Sequence, residues 1–260
     1  MIGCGRIAGA HGIAAQRAGE DLVKFVTCAD VNPESSRAFA ERFGCDSHYS
    51  DFEEMLKREK VDGVVLGTWP AQHAEQIQQV LDAGVKYILC EKALTTDRDS
   101  ALAIWQAAKD ADATVLEAFM YLYHPLIEQL DEMVRSSGIG QIDTIRGASS
   151  VPFPETADVS DPSRGWRYKK DVGGGVVWDL TCYPVNVCGR YAGALPETAQ
   201  AVGTVGRYGS INRLYGVVSY ANGCVGIVES SASTVFNQEI QINAADAILQ
   251  VTTAYSPPGD

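Results

Sequence analysis

No apolar run in this chain of 260 residues is long enough to span a bilayer. The N-terminus does not have the form of a secretory signal either, because Arg6 and His11 interrupt a weak, glycine-containing stretch. No two of the seven cysteines, at 4, 28, 45, 90, 182, 188 and 224, have the close spacing of a zinc knuckle or a redox dithiol, so neither is expected. Several of them fall in apolar strand-like runs, where cysteine behaves as a small hydrophobe. An odd, scattered set suits a reducing cytoplasm better than secretion. Positive charge is also short: the net charge of -12 argues against a nucleic-acid backbone or an anionic membrane surface as the main partner, though not against a local basic pocket for a phosphate. There is no internal repeat, low-complexity tract or like-charge run. The chain reads as a soluble cytoplasmic protein.

What the chain does have is core. With 46% hydrophobic and 21% charged residues it can bury a substantial interior, in two domains or one large one. Ala-rich sequence from Arg6 to Ala18 reads as a helix, and Leu22 to Ala29 as a strand ending at Asp30. Asn32-Pro33 supplies an N-cap and a first-turn proline for a helix to about Phe43. Ser50-Asp51-Phe52-Glu53 has capping-box form. Strands at Val61–Gly67, Val85–Cys90 and Thr114–Leu116 alternate with helices at Ala71–Asp82 and, capped by Thr96, up to Ala111. Short continuous apolar strands between helices point to a parallel sheet covered on both faces.

The rhythm changes after residue 117. A helix from Pro125 to Arg135, a strand from Ile142 to Val151, a polar loop over 152–172 and a helix from Gly175 to Tyr191 lead into strand-rich sequence. Asn222-Gly223 between two β-branched runs is the strongest hairpin signal present. The expected fold class is α/β: a doubly wound parallel-sheet domain over 1–118, then an α/β domain over 119–260 with a large, mostly antiparallel open sheet.

Four places carry candidate chemistry. Gly3, Gly5 and Ala8 have the spacing of a dinucleotide-binding turn. There the first glycine allows a tight turn, the second admits a pyrophosphate, and the small third residue lets the helix pack on the sheet. Asp30, about twenty residues on, is placed to accept both ribose hydroxyls and so to favour NAD over NADP, although Arg37 nearby could offset the repulsion of a 2′-phosphate. Alone, it reads equally well as an ordinary strand-end acid. Glu91-Lys92 follows a parallel strand at its carboxyl end, where open α/β sheets bind ligands. Lys92 there can bridge cofactor and substrate hydroxyls, the bland alternative being a surface pair. Asp179 and Tyr183, four apart on one helix face, can bind a hydroxyl and move its proton. The alternative is an early-turn acid and a packed core aromatic.

The order of these pieces resembles the Gfo/Idh/MocA family of NAD(P)-dependent oxidoreductases over essentially the whole chain. The resemblance rests on the glycine turn, Asp30, Thr68 and His73, Glu91-Lys92, Glu117-Ala118-Phe119-Met120, and the triple glycine before Asp179 and Tyr183-Pro184. The stretches at 119–125 and 182–186 are most similar to the branch of dimeric dihydrodiol dehydrogenase, D-xylose 1-dehydrogenase and glucose-fructose oxidoreductase. The resemblance implies an N-terminal Rossmann domain and an open C-terminal sheet that forms a homo-oligomer face. It implies Lys92, Asp179 and Tyr183 as catalytic residues, with Tyr183 taking the hydroxyl proton and Lys92 supporting the phenolate. Gly3, Gly5, Arg6 and Ile7 then match the pyrophosphate turn, Thr68, His73 and Glu91 the cofactor cleft, and Arg167 a substrate-side arginine. The implied partner is a sugar, polyol or cyclic diol.

Four departures bear on substrate and rate: Pro70, Ala93, Leu122 and Thr181 replace residues usual in the family. Ala93 stands where proline often follows a cis bond. A cis bond to alanine costs about 3 kcal/mol, so a trans or strained peptide is expected there. Against the family pattern both ends also look short, with only Met1 and Ile2 left of the first strand, which reads as a fragment or a misassigned reading frame. Three other readings remain open at this level: a cofactor-binding regulator without catalysis, an NAD-dependent glycosidase, and an inactive truncated product.

Overall fold

The structure is a computed structural model that describes residues 1–136, 138–153, 160 and 165–256. Residues 154–159 and 161–164 of the polar loop expected over 152–172, and the residues from 257 on, lie outside that set. The chain divides into two compact units, Met1–Ala118 and Phe119–Asp260.

In the first unit the helices are α1 (Arg6–Ala18), α2 (Pro33–Phe43), α3 (Phe52–Arg58), α4 (Pro70–Asp82) and α5 (Arg98–Asp110). They alternate with strands β1 (Thr27–Ala29), β2 (Ser47–Tyr49), β3 (Gly63–Leu66), β4 (Tyr87–Cys90) and β5 (Thr114–Glu117). β1 pairs with β2, and β3 with β4 and β4 with β5, all in parallel. Ile2 closes the gap between the two groups with parallel bridges to Ala29 and Leu66. Four backbone bonds hold it there: Ile2 N to Val65 O and Gly3 N to Ala29 O at 2.9 Å, Ala29 N to Met1 O at 2.9 Å, and Gly67 N to Ile2 O at 2.8 Å. The first strand is thus a single bridging residue, fully laddered on both sides.

The two-residue period of the strands separates two cores. Met1 and Cys28 pack with Ala8, Phe39 and Ala40 on one face. Ile2 and Ala29 pack with Met55, Leu66, Ile77, Val80, Ile88 and Ile104 on the other. Both faces are covered, as the apolar strands require.

Some boundaries differ from expectation for local reasons. Leu22 and Val23 are exposed and fold back on Gly19 O, so β1 begins only at Thr27. Asp51, not Ser50, caps α3, and Asp97, not Thr96, caps α5; in each the carboxylate accepts the first-turn N–H. The short strand β2 has no apolar run to announce it.

The second unit holds α6 (Pro125–Arg135), α7 (Val176–Asp179) and α8 (Cys182–Ala192). Its strands are β6 (Ile142–Ser150), β7 (Pro196–Val205), β8 (Ile211–Tyr220), β9 (Val225–Ser231), β10 (Asn237–Ala244) and β11 (Ile248–Thr252). They form one sheet in the order β11-β10-β6-β9-β8-β7, antiparallel except for β6 beside β9. The hairpin between β8 and β9 turns at Asn222-Gly223, with Gly223 at φ +87 and Asn222 Oδ1 accepting Cys224 N. α8 lies close on the sheet because Gly147 and Gly226 leave room: a Cβ at Gly147 would stand 2.7 Å from Pro184, and one at Gly226 3.1 Å from Cys188.

The single helix expected from Gly175 to Tyr191 is instead two helices, broken at Leu180-Thr181. Pro184 has no N–H to offer Leu180 O, which Tyr183 N reaches at 3.3 Å instead. Thr181 bonds back to Val176 O twice, through its N–H at 2.8 Å and its hydroxyl at 2.9 Å. Asp179 therefore ends one helix and Tyr183 lies in the first turn of the next, so the shared-face expectation does not hold as stated.

Candidate functional site

In the first unit the glycine turn connects Ile2 to α1. Gly3 sits at φ +81, and a Cβ there would lie 2.8 Å from Thr68 Cγ2 and 2.9 Å from backbone atoms of Gly67 and Thr68. Only glycine fits both the conformation and the space. Gly5 is different: it is the N-cap of α1 with no side-chain cap, and nothing lies within 4 Å of where its Cβ would be. The helix has no acidic residue in its first turn. Its N-terminal N–H groups and partial positive charge therefore face open space beside Arg6 and Ile7, a donor set suited to a phosphate.

Asp30 is wired to this turn. Its Oδ2 accepts Cys4 N at 2.7 Å and its Oδ1 accepts Asn32 N at 2.8 Å, so it joins the end of β1 to the glycines. Each oxygen keeps a further acceptor site. Val31 beside it is 91% exposed, which leaves the approach open. Arg37 is engaged on its own helix by Glu34 and Glu41.

The loop after β4 is held at successive backbone groups. Glu91 N bonds Leu66 O at 2.9 Å, Lys92 N bonds Glu91 Oε2 at 3.3 Å, and Leu94 N bonds Glu117 Oε1 at 2.8 Å. The Lys92–Ala93 peptide is cis, not trans. Ala93 O faces Nδ1 of His73 at 2.9 Å, while Nε2 of that ring lies 3.2 Å from Thr68 O. Thr68 also donates its hydroxyl to Gln76 Oε1. His73 is completely buried, with its two ring nitrogens facing these two carbonyls. Burial also pushes the Glu117 carboxyl up, opposed by Leu94 N–H and by the positive charge of Lys92.

Burial holds His73 below its ordinary value of 6.5, against the weaker pull of the two carbonyls. The unfolded chain therefore takes up a proton here that the folded chain resists. The stability tied to neutral His73 is complete above that ordinary value and is lost as pH falls toward the folded one. Thermal unfolding midpoints from about pH 7.5 to about pH 5 are expected to drop more steeply in the wild type than in His73→Asn. Equal slopes would acquit the histidine.

In the second unit Asp179 is 3% exposed and accepts Arg167 Nε at 2.7 Å. The guanidinium lies over the rings of Trp166 and Phe153, at 4.8 and 5.6 Å. The Tyr183 ring is buried against Tyr255, Phe119 and Tyr121, at centroid distances of 5.0, 5.7 and 6.0 Å, and its hydroxyl points at Met120 Sδ, 3.6 Å away. Tyr121 donates to Asn186 Oδ1 at 2.6 Å. Burial pushes both Tyr121 and Tyr255 upward, so neither gives up its proton near neutrality.

Contacts around these candidate residues come from positions far away in the sequence. Glu91 Oε1 meets His11 Nε2 at 2.9 Å, a pairing across eighty positions that no local pattern reveals. Tyr255 was equally silent, and the contact of Glu117 with Leu94 N has no local signal either. Among the described residues no group of three or more His, Cys, Asp or Glu side chains could hold a metal ion.

Residues 1–119 match the family described as GFO_IDH_MocA, an oxidoreductase family with an NAD-binding Rossmann fold, and residues 127–250 match the GFO/IDH/MocA C-terminal domain. The chain is 31% identical over 220 residues to D-xylose 1-dehydrogenase (NADP(+)) 2 of Haloferax volcanii, a match covering 84% of this chain and 65% of that protein. It is 33% identical over 202 residues to dTDP-3,4-didehydro-2,6-dideoxy-alpha-D-glucose 3-reductase of Actinomadura kijaniata, covering 78% of this chain and 58% of that one. The match thus spans less than two thirds of either relative. A 3-ketoreductase from Actinomadura kijaniata, solved in complex with NADP and TDP-benzene, has the same fold, with a TM-score of 0.87 and 27% identity over 99% of this chain and 76% of that one.

Proposed function

The chain belongs to the GFO/IDH/MocA oxidoreductase family, and from that premise we propose that it moves a hydride between a nicotinamide dinucleotide and a secondary alcohol or hemiacetal carbon of a sugar, polyol or cyclic diol. The observation that carries the reading is the glycine turn, with open space at Gly5 and an uncapped helix start aimed into it. Sugar-type substrates of named relatives support the substrate class.

Gly3, Gly5, Arg6 and Ile7 hold the pyrophosphate at the start of α1. Asp30 would accept the ribose hydroxyls on its remaining lone pairs, and Glu91, Lys92 and Thr68 would hold the nicotinamide end. Bound NAD(P) supplies the hydride acceptor or donor. On the substrate side, during oxidation, Tyr183 acts as its phenolate and takes the hydroxyl proton at that oxygen, becoming the neutral phenol, while Asp179, held by Arg167, orients the hydroxyl. Tyr121 and Tyr255 keep their protons and shape the wall. The outer face of the sheet, where Val202, Tyr215 and Val217 are exposed, is the surface a second copy would cover. Seven free thiols suit a cytoplasmic setting.

Arg37, the cation nearest in sequence after Asp30, is engaged by Glu34 and Glu41, so Asp30 would meet a 2′-phosphate with that arginine already committed elsewhere. An activity screen over sugars, polyols and cyclic diols is expected to favour NAD over NADP by at least about tenfold in kcat/KM. Asp30→Ser should narrow that ratio. A wild type that prefers NADP would overturn the cofactor assignment, and silence across the panel would overturn the activity.

A further inference from the structure

The carboxylate of Glu91 has two different partners. Oε1 meets His11 Nε2 at 2.9 Å, and Oε2 accepts the backbone N–H of Lys92 at 3.3 Å. His11 lies in α1, the helix whose N-terminus starts at the glycine turn, and both side chains are largely sheltered, at 18% and 13% exposure. A continuous polar path therefore runs from the phosphate-facing helix, through imidazole and carboxylate, to the amide of Lys92. The rest of the loop is pinned from elsewhere, by His73 at Ala93 O and by Glu117 at Leu94 N. The His11–Glu91 link ties the amide of the lysine to α1.

We propose that His11 and Glu91 form a positioning pair that sets the backbone of Lys92 relative to α1, so that the two ends of a bound dinucleotide are gripped as one unit. Neither residue moves a proton in the reaction. The pair fixes the loop from which Lys92 reaches the nicotinamide ribose. A lone carboxylate on a loop would leave that backbone to follow β4 alone. Anchoring it to the helix that receives the pyrophosphate removes one degree of freedom between the two contacts.

This inference rests on the reading of Lys92 as a cofactor contact, and its test separates the two. The measurement is the dissociation constant of NADH, followed by nicotinamide fluorescence, for the wild type, His11→Leu, Lys92→Met and the double variant. Lys92→Met is expected to weaken NADH about tenfold, and His11→Leu about three- to tenfold. In the Lys92→Met background, His11→Leu should change affinity by less than about twofold, because the pair acts through the lysine. His11→Gln, which can still donate to Glu91, should regain most of the wild-type affinity. If Lys92→Met leaves affinity unchanged, the reading of the lysine fails. If Lys92→Met weakens binding but the two losses simply add, or His11→Gln is no better than His11→Leu, the lysine stands and the positioning pair fails. The glutamine variant keeps the test usable should the leucine variant lose its fold.

Discussion

Tyr183→Phe is expected to lower turnover by about 10²- to 10⁴-fold while leaving the affinity for NADH within about twofold of wild type. The substitution removes one oxygen and little else. The phenolic hydroxyl reaches Met120 Sδ at 3.6 Å, whereas the ring makes the packing, stacked on Tyr255 and edge-on to Phe119 and Tyr121. A phenylalanine keeps those ring contacts, so the fold and the aromatic wall survive. Neighbouring phenols cannot substitute, since burial keeps Tyr121 and Tyr255 protonated. A loss confined to kcat would identify the hydroxyl as the group that carries the proton. An unchanged kcat would return Tyr183 to the core aromatic that its burial also permits.

The second large effect separates two glycines two residues apart. Gly3→Ala is expected to lower the thermal unfolding midpoint by about 5–10 °C, because it adds backbone strain and a clash, each costing about 1–3 kcal/mol. The residue sits at φ +81, and two of the three atoms nearest its would-be Cβ are backbone atoms of Gly67 and Thr68, which cannot step aside. Gly5→Ala meets nothing within 4 Å and has an ordinary φ of -74, so its midpoint should stay within about 2 °C of wild type. Its cost should fall on NADH instead, weakened about tenfold or more by a methyl in the phosphate's path. If both variants lose stability, or neither loses NADH, the division of labour in the turn is wrong.

The fold was legible where one residue type had one physical use. Asn32-Pro33 capped α2 as read, Asn222-Gly223 turned the β8–β9 hairpin, and the alternation of short apolar strands with helices gave a sheet covered on both faces. It was not legible where a carbonyl's partner lay outside the local pattern. The break between α7 and α8 follows from Pro184 and from the Thr181 hydroxyl competing for Val176 O, a backbone matter that the apolar spacing of 175–191 conceals. The same holds for the site. Gly3, Asp30, Lys92, Asp179 and Tyr183 advertise themselves by spacing and by position at strand or helix ends. Their pairings are set by tertiary contact, and no local pattern announces them even where the family resemblance marks the residue: His11 with Glu91, His73 with Ala93 and Arg167 with Asp179. Even Asp30 proved double, binding the turn's own Cys4 N–H as well as facing outward.

The central claim is hydride transfer at a dinucleotide held by the glycine turn. The most direct measurement is the appearance of reduced nicotinamide when the protein is incubated with NAD and a carbon-deuterated sugar, polyol or cyclic diol, with the label followed into the cofactor by mass spectrometry. The account predicts reduced nicotinamide carrying the deuterium, formed one-for-one with the carbonyl product and abolished in Tyr183→Phe. Tight NADH binding with no labelled cofactor from any member of the panel would contradict it and make the chain a binding protein that keeps the fold without the reaction.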